Sequence, residues 1–127
     1  MPSLIDVDLP RQRTCAAIAR RLVDEHFADE LDAGTLDDLK LVVSELVDNA
    51  YLHGVGQIRM KLTPQAGQVR VEVLDEGEGA AIKIRALGAT GGGHGLRLVD
   101  HLCSEWGAFE GSTHVWAELS LDPADRP

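Results

Sequence analysis

A chain of 127 residues, 44% hydrophobic and 26% charged, is sized for one domain over residues 1–127, and it holds no apolar run approaching the ~18 to 20 residues that a membrane-spanning helix needs. Its formal charge of −9 opposes docking on phosphate backbones, which excludes nucleic acid as an expected direct partner. An acidic protein that takes up a phosphate-bearing ligand must hold it with local backbone N–H groups and a metal ion, so the informative residues are glycines and carboxylates.

The first residues, MPSLIDVDLPRQR, lack the basic start and continuous apolar stretch of a secretory leader, and the expected location is the cytoplasm. Ile5, Val7 and Leu9 alternate with Asp6 and Asp8 before Pro10, the period-two pattern of a half-buried strand. Helix-forming composition follows from Arg11 to about Leu31, with Cys15, Ile18, Ala19, Leu22 and His26 at helical spacing. Cys15 and Cys103 have no Cys or His neighbours at zinc-site spacing and read as buried, reduced thiols.

In the next helix Thr35 is the expected cap, with Asp38 in the acidic first turn. Leu39, Val43, Leu46 and Ala50 form its apolar stripe, and His53-Gly54 is its expected end, with glycine in a left-handed cap. Ile58, Met60 and Leu62, then Val69, Val71 and Val73, alternate with polar residues as a hairpin joined by Pro64 to Gly67. Residues 77–93 are glycine-rich and predict a loop that acts as a lid, with a short helix around Ala80 to Leu87 as an open alternative. Leu96, Val99 and Leu102 restart a helical period, and Val115, Ala117, Leu119 and Leu121 predict a last strand. This order, without regular β-α alternation, predicts an α+β fold, a two-layer α/β sandwich with one sheet and its helices on one face.

Three groups of residues carry chemistry. Glu45 and Asn49 lie four apart at the border of the apolar stripe, where a carboxylate and an amide oxygen suit a hard cation such as Mg2+; Asp48 beside them reads as solvated. Asp75 closes a strand just before Gly77 and Gly79, a pattern that suits close backbone approach to a flat ligand beside a hydrogen-bond acceptor. The run Gly91 to Leu96, at the start of a helix, offers N–H groups and the positive end of a helix dipole to phosphates. Neither a P-loop nor a first-strand dinucleotide fingerprint is present.

In this order ELVDNAYLHG (Glu45 to Gly54), DEGEG (Asp75 to Gly79) and GGGHGLRLVDHL (Gly91 to Leu102) resemble the N-box, G1 box and G2 box of the GHKL ATPase superfamily. Trp106-Gly107 and the Val115-Trp116 strand look like those of the anti-sigma-factor serine kinases of Gram-positive bacteria. The resemblance implies the Bergerat fold, with a mixed, mostly antiparallel sheet and an ATP lid, and it implies ATP and Mg2+ as cofactors. On the matching positions, Asn49 would ligate Mg2+ and Glu45 would serve as general base or orient the attacking hydroxyl. Asp75 would accept the adenine amino group, Gly77 and Gly79 would admit the base, and Gly93 and Gly95, within a nucleotide-binding run that includes Gly91 and Leu96, would meet the phosphates. His53 is implied to be structural.

The sequence departs from the family at Ala80-Ala81 and at Gly111-Ser112-Thr113-His114, where many relatives carry a lysine before the last strand. Arg97 is the candidate substitute. The implied activity is that of a serine/threonine kinase that phosphorylates a STAS-type anti-sigma-factor antagonist and binds a sigma factor, with a homodimer possible. The alternative is a catalytically weak switch that holds a partner when nucleotide is bound. A detached histidine-kinase domain is less expected, because the chain has no room for a preceding helix pair bearing a substrate histidine.

Overall fold

Alternation of apolar and charged residues builds the sheet. The computed structural model describes residues 4–77, 99–108 and 114–122. Its strands are β1 (Ile5–Leu9), β2 (Ile58–Gln65), β3 (Gln68–Leu74), β4 (Glu105–Ala108) and β5 (Val115–Ser120), in the order β1-β2-β3-β5-β4. The four pairings are all antiparallel, with Leu9 opposite Ile58, Leu62 opposite Val71 and Val71 opposite Ala117. Ile5, Leu9, Ile58, Met60, Leu62, Val69, Val71, Val73, Val115, Ala117 and Leu119 are buried on one face, each such aliphatic side chain contributing roughly 1.5–3 kcal/mol.

Helices α1 (Cys15–Phe27) and α2 (Ala33–His53) cover that face, α2 packing on β2, β3 and β5 and α1 on β1. They run antiparallel, tied by Lys40 Nζ to Asp24 Oδ1 at 3.0 Å and by Arg20 Nη1 donating to Ser44 Oγ at 2.9 Å. The stripe Leu39, Val43, Leu46 and Ala50 is buried as expected. The opposite face of the sheet is charged, carrying the bidentate pair of Arg59 with Asp6 at 2.7 and 2.8 Å and Arg70 stacked 4.4 Å from the Trp116 ring. This is the expected two-layer α+β sandwich.

Several local expectations are corrected. α1 begins at Cys15, leaving Arg11 outside it, and its buried line is Cys15, Ala16, Ala19, Val23 and Phe27, rotated from the expected stripe. Asp32, not Thr35, caps α2: its carboxylate accepts the Thr35 N–H at 3.2 Å, so Thr35 lies inside the first turn and is buried. Asp38 falls beyond that turn. Gly54 does cap the C-terminus, but in an extended conformation (φ −93°, ψ −174°) rather than a left-handed one. The hairpin turn is shorter than expected, since Pro64 pairs opposite Val69 and Gly67 takes the positive φ of 74°. β4 departs from the sequence pattern, because four residues that include Gly107 carry too little alternation to register as a strand. Residues 99–102 are helical with Val99 buried, while the start of that helix and the lid lie outside the described residues.

Candidate functional site

The C-terminal half of α2 carries the first group of site residues. Glu45 and Asn49 are one helical turn apart, about 6 Å along the axis. Glu45 is half-buried, and burial, reinforced by the charge of Asp48, raises its carboxyl above the ordinary glutamate range. Asp48 is half-buried as well rather than fully solvated: burial raises it, and the Arg20 guanidinium opposes the shift. Its place on the α1 side of α2, where Arg20 also bonds Ser44, accounts for that correction. Asn49 is 5% exposed, and its Oδ1 is one of two buried side-chain polar atoms without a hydrogen-bond partner among the described residues. The other, Thr35 Oγ1, lies about 21 Å away along the helix. An unmet buried carbonyl oxygen costs free energy, and one placed beside a raised carboxylate is suited to a ligand that supplies positive charge.

The second group sits where α2 ends. Asp75 follows the last residue of β3, and its Oδ1 accepts the Gly77 N–H at 2.8 Å and the Val55 N–H at 3.5 Å. Glu76 N–H donates to Val55 O at 2.9 Å, and the Glu76 carboxylate accepts the Gln57 N–H. The α2–β2 loop therefore closes directly on the Asp75-Glu76 corner. Gly54 makes this possible, because a Cβ there would collide with the Asp75 carboxylate and stand 2.6 Å from Ala50 O. At Gly56 (φ +69°) both the conformation and the proximity of Glu76 demand glycine.

Glu45 and Asn49 thus lie on the C-terminal half of α2, and Asp75 and Gly77 on the corner that closes against the residues following its end. Gly79, Gly91, Gly93, Gly95, Leu96 and Arg97 lie outside the described residues. His53 is exposed on the last turn of α2. His114, at the position preceding β5, bonds Glu72 Oε1 at 2.9 Å, and burial holds its pKa below the usual histidine range. Both cysteines are free and buried, and burial pushes the Cys103 thiol up to about 12. A cavity of about 230 Å3 lined by Asp8, Gln57, Arg59, Leu74, Asp75 and Glu76 touches the site only through Asp75 and the side chain beside it.

Three contributors were missed in the sequence: Gly54 and Gly56 as packing surfaces for the two acids, and Arg11, whose guanidinium donates to Ala50 O, Tyr51 O and Gly56 O. The Gly54-Val55-Gly56 spacing was a visible signal for the first two. Arg11 had none, since its partners lie some 39 to 45 residues away.

A family model of the histidine kinase-like ATPase domain matches residues 9–118. Among solved structures, the RsbU and RsbW domains of Rv1364c from Mycobacterium tuberculosis share the fold at a TM-score of 0.69 and 24% identity, over 93% of this chain and 32% of that one. The chain thus spans about a third of the length of that protein's solved chain. No curated protein matches it. With the match covering residues 9–118, which include both helices and most of the sheet, the chain belongs to the histidine kinase-like ATPase family, of GHKL type.

Proposed function

We propose that the chain is an ATP-dependent serine/threonine protein kinase of the anti-sigma-factor type, which phosphorylates an anti-sigma-factor antagonist and binds a sigma factor. The observation that carries the nucleotide reading is the buried, unpartnered Asn49 Oδ1 one turn from the raised carboxyl of Glu45. The motif resemblance to anti-sigma-factor serine kinases, together with the fold shared with an RsbW domain, supports the choice of substrate class.

The donor set fits Mg2+, a hard cation that prefers oxygen ligands and completes its shell with phosphate and water. Asn49 would hold it, and when bound it neutralises charge on the phosphate chain. Asp75 accepts a hydrogen bond from the exocyclic amino group of adenine, its carboxylate already oriented by the Gly77 and Val55 amides. Gly77 keeps the backbone thin beside the base. Glu45 takes the proton of the incoming serine or threonine hydroxyl, a role for which a carboxyl raised by burial is better matched than an ordinary glutamate. Gly79, Gly91, Gly93, Gly95 and Leu96 complete the phosphate side in this reading.

One observation favours a second reading, a catalytically weak, nucleotide-dependent binding switch. His114, beside the position where relatives carry lysine, is bonded to Glu72 and held toward its neutral form, so it supplies no fixed cation for phosphoryl transfer. Incubation with γ-labelled ATP and small antagonist domains separates the two: label on a serine or threonine of the antagonist supports the kinase, and ATP-dependent complex formation without label supports the switch.

Asn49→Ala is expected to remove the Mg2+-dependent part of nucleotide affinity while the protein remains folded. Calorimetry with Mg2+ and with a chelator reads this directly. Equal affinity under both conditions in the unmodified protein would contradict the assignment of Asn49.

A further inference from the structure

Arg11 stands in the β1–α1 connection, outside both elements, yet it reaches the far end of α2. Its Nη2 donates to Ala50 O at 3.1 Å, its Nη1 to Tyr51 O at 2.9 Å and its Nε to Gly56 O at 2.6 Å. The first two acceptors belong to the last turn of α2, where Ala50 O also takes the Gly54 N–H at 2.9 Å and where positive charge meets the negative end of the dipole. The third belongs to the loop. A guanidinium can serve all three because its donors form a rigid fork; an ammonium cannot.

The Gly56 carbonyl shares a peptide unit with the Gln57 N–H, and in a trans peptide the two point in opposite directions. That unit is therefore held at both ends, by Arg11 on the oxygen and by the Glu76 carboxylate on the nitrogen. The preceding units are tied to the same corner, Val55 N–H to Asp75 and Val55 O to the Glu76 N–H. The loop is a layer one backbone thick, with Arg11 on one side and the Asp75-Glu76 corner on the other. We propose that Arg11 is a positioning residue of the nucleotide-base pocket: by clamping the 56–57 peptide and the end of α2, it sets the placement of Asp75 and so the preference for a base bearing an exocyclic amine over one bearing a carbonyl at that position. This rests on the reading of Asp75 as the acceptor for the base.

The test compares MgATP with MgGTP by calorimetry in the unmodified chain, Arg11→Lys, Arg11→Gln and Asp75→Asn, with amide hydrogen exchange followed in parallel. Both Arg11 variants are expected to lower the ratio of ATP to GTP affinity by about fivefold or more. The ratio of affinities with and without Mg2+ stays unchanged, and exchange quickens at Val55, Gln57 and Glu76 but not in the centres of β2 and β3. An unchanged ATP to GTP ratio in either folded variant would overturn the proposal. So would equal loss of both nucleotides and of Mg2+ dependence with faster exchange throughout the sheet, or failure of both variants to fold, since Arg11 would then be a determinant of the fold alone. Asp75→Asn separates the role of Asp75 from that of Arg11. If it leaves the ratio intact, the base-pocket reading fails and takes the role of Arg11 with it; if it abolishes the ratio while the Arg11 variants keep it, the role of Arg11 alone is refuted.

Discussion

Glu45→Ala is expected to slow phosphoryl transfer to an antagonist by roughly 10²- to 10⁴-fold with little change in ATP affinity, because a group that deprotonates or orients the attacking hydroxyl acts mainly in the transition state. The base must be ionised, so transfer in the unmodified protein should rise with pH through a value above the ordinary glutamate range, as burial and Asp48 place it. Asp48→Asn removes the neighbouring charge and should move that rise to lower pH. The same shift has a consequence for stability. A carboxyl whose pKa is raised by folding makes a contribution that is fully present below its unfolded pKa and is lost as pH rises through the folded one. At neutral pH Glu45 therefore weakens the fold, and Glu45→Gln should melt higher than the unmodified protein at pH 7, with the gain vanishing in acid. Comparable transfer rates in Glu45→Ala and the unmodified chain would remove Glu45 from the mechanism.

Gly54→Ala is expected to reduce ATP affinity by about 10- to 100-fold, the loss of one charge-assisted hydrogen bond of roughly 1.5–3 kcal/mol. The backbone at Gly54 is extended, a conformation alanine adopts freely, so the penalty is steric. The new Cβ collides with the Asp75 carboxylate and stands 2.6 Å from Ala50 O. Asp75 must therefore move. Overpacking of this kind also costs about 1–3 kcal/mol of stability. Gly67→Ala supplies the contrast: it has positive φ and no neighbour within 4 Å, so it should lower the melting temperature without changing nucleotide affinity. Equal ATP binding by Gly54→Ala and the unmodified protein would show that the closure of the α2–β2 loop on Asp75 is irrelevant to the ligand.

Elements held by local pattern were legible in the sequence. The stripe Leu39, Val43, Leu46 and Ala50 and the alternation in β2, β3 and β5 each repeat often enough to define a buried face, and all are buried in the fold except Leu121, which lies just past β5 and is half-buried. The helix boundaries were less so. Thr35 and Asp32 are both good capping residues, and the choice between them depends on where the chain leaves its extended conformation, which Asp32 does at φ −68° and ψ 162°. β4 is four residues long and exists through its pairing with β5, a tertiary interaction with no local signature. Within the site, Glu45, Asn49, Asp75 and Gly77 were visible as residue types at telling spacings. The means of holding them in place was not. Arg11, Gly54 and Gly56 act through contacts across the fold, and their residue types alone are equally at home in an ordinary turn.

In the proposed function Asp75 receives the base of a bound adenine nucleotide beside the end of α2. Calorimetric titration of folded Asp75→Asn with MgATP tests it most directly: a loss of affinity of about tenfold or more is the predicted result, corresponding to a hydrogen bond of roughly 1.5–3 kcal/mol, and affinity equal to that of the unmodified chain would contradict it.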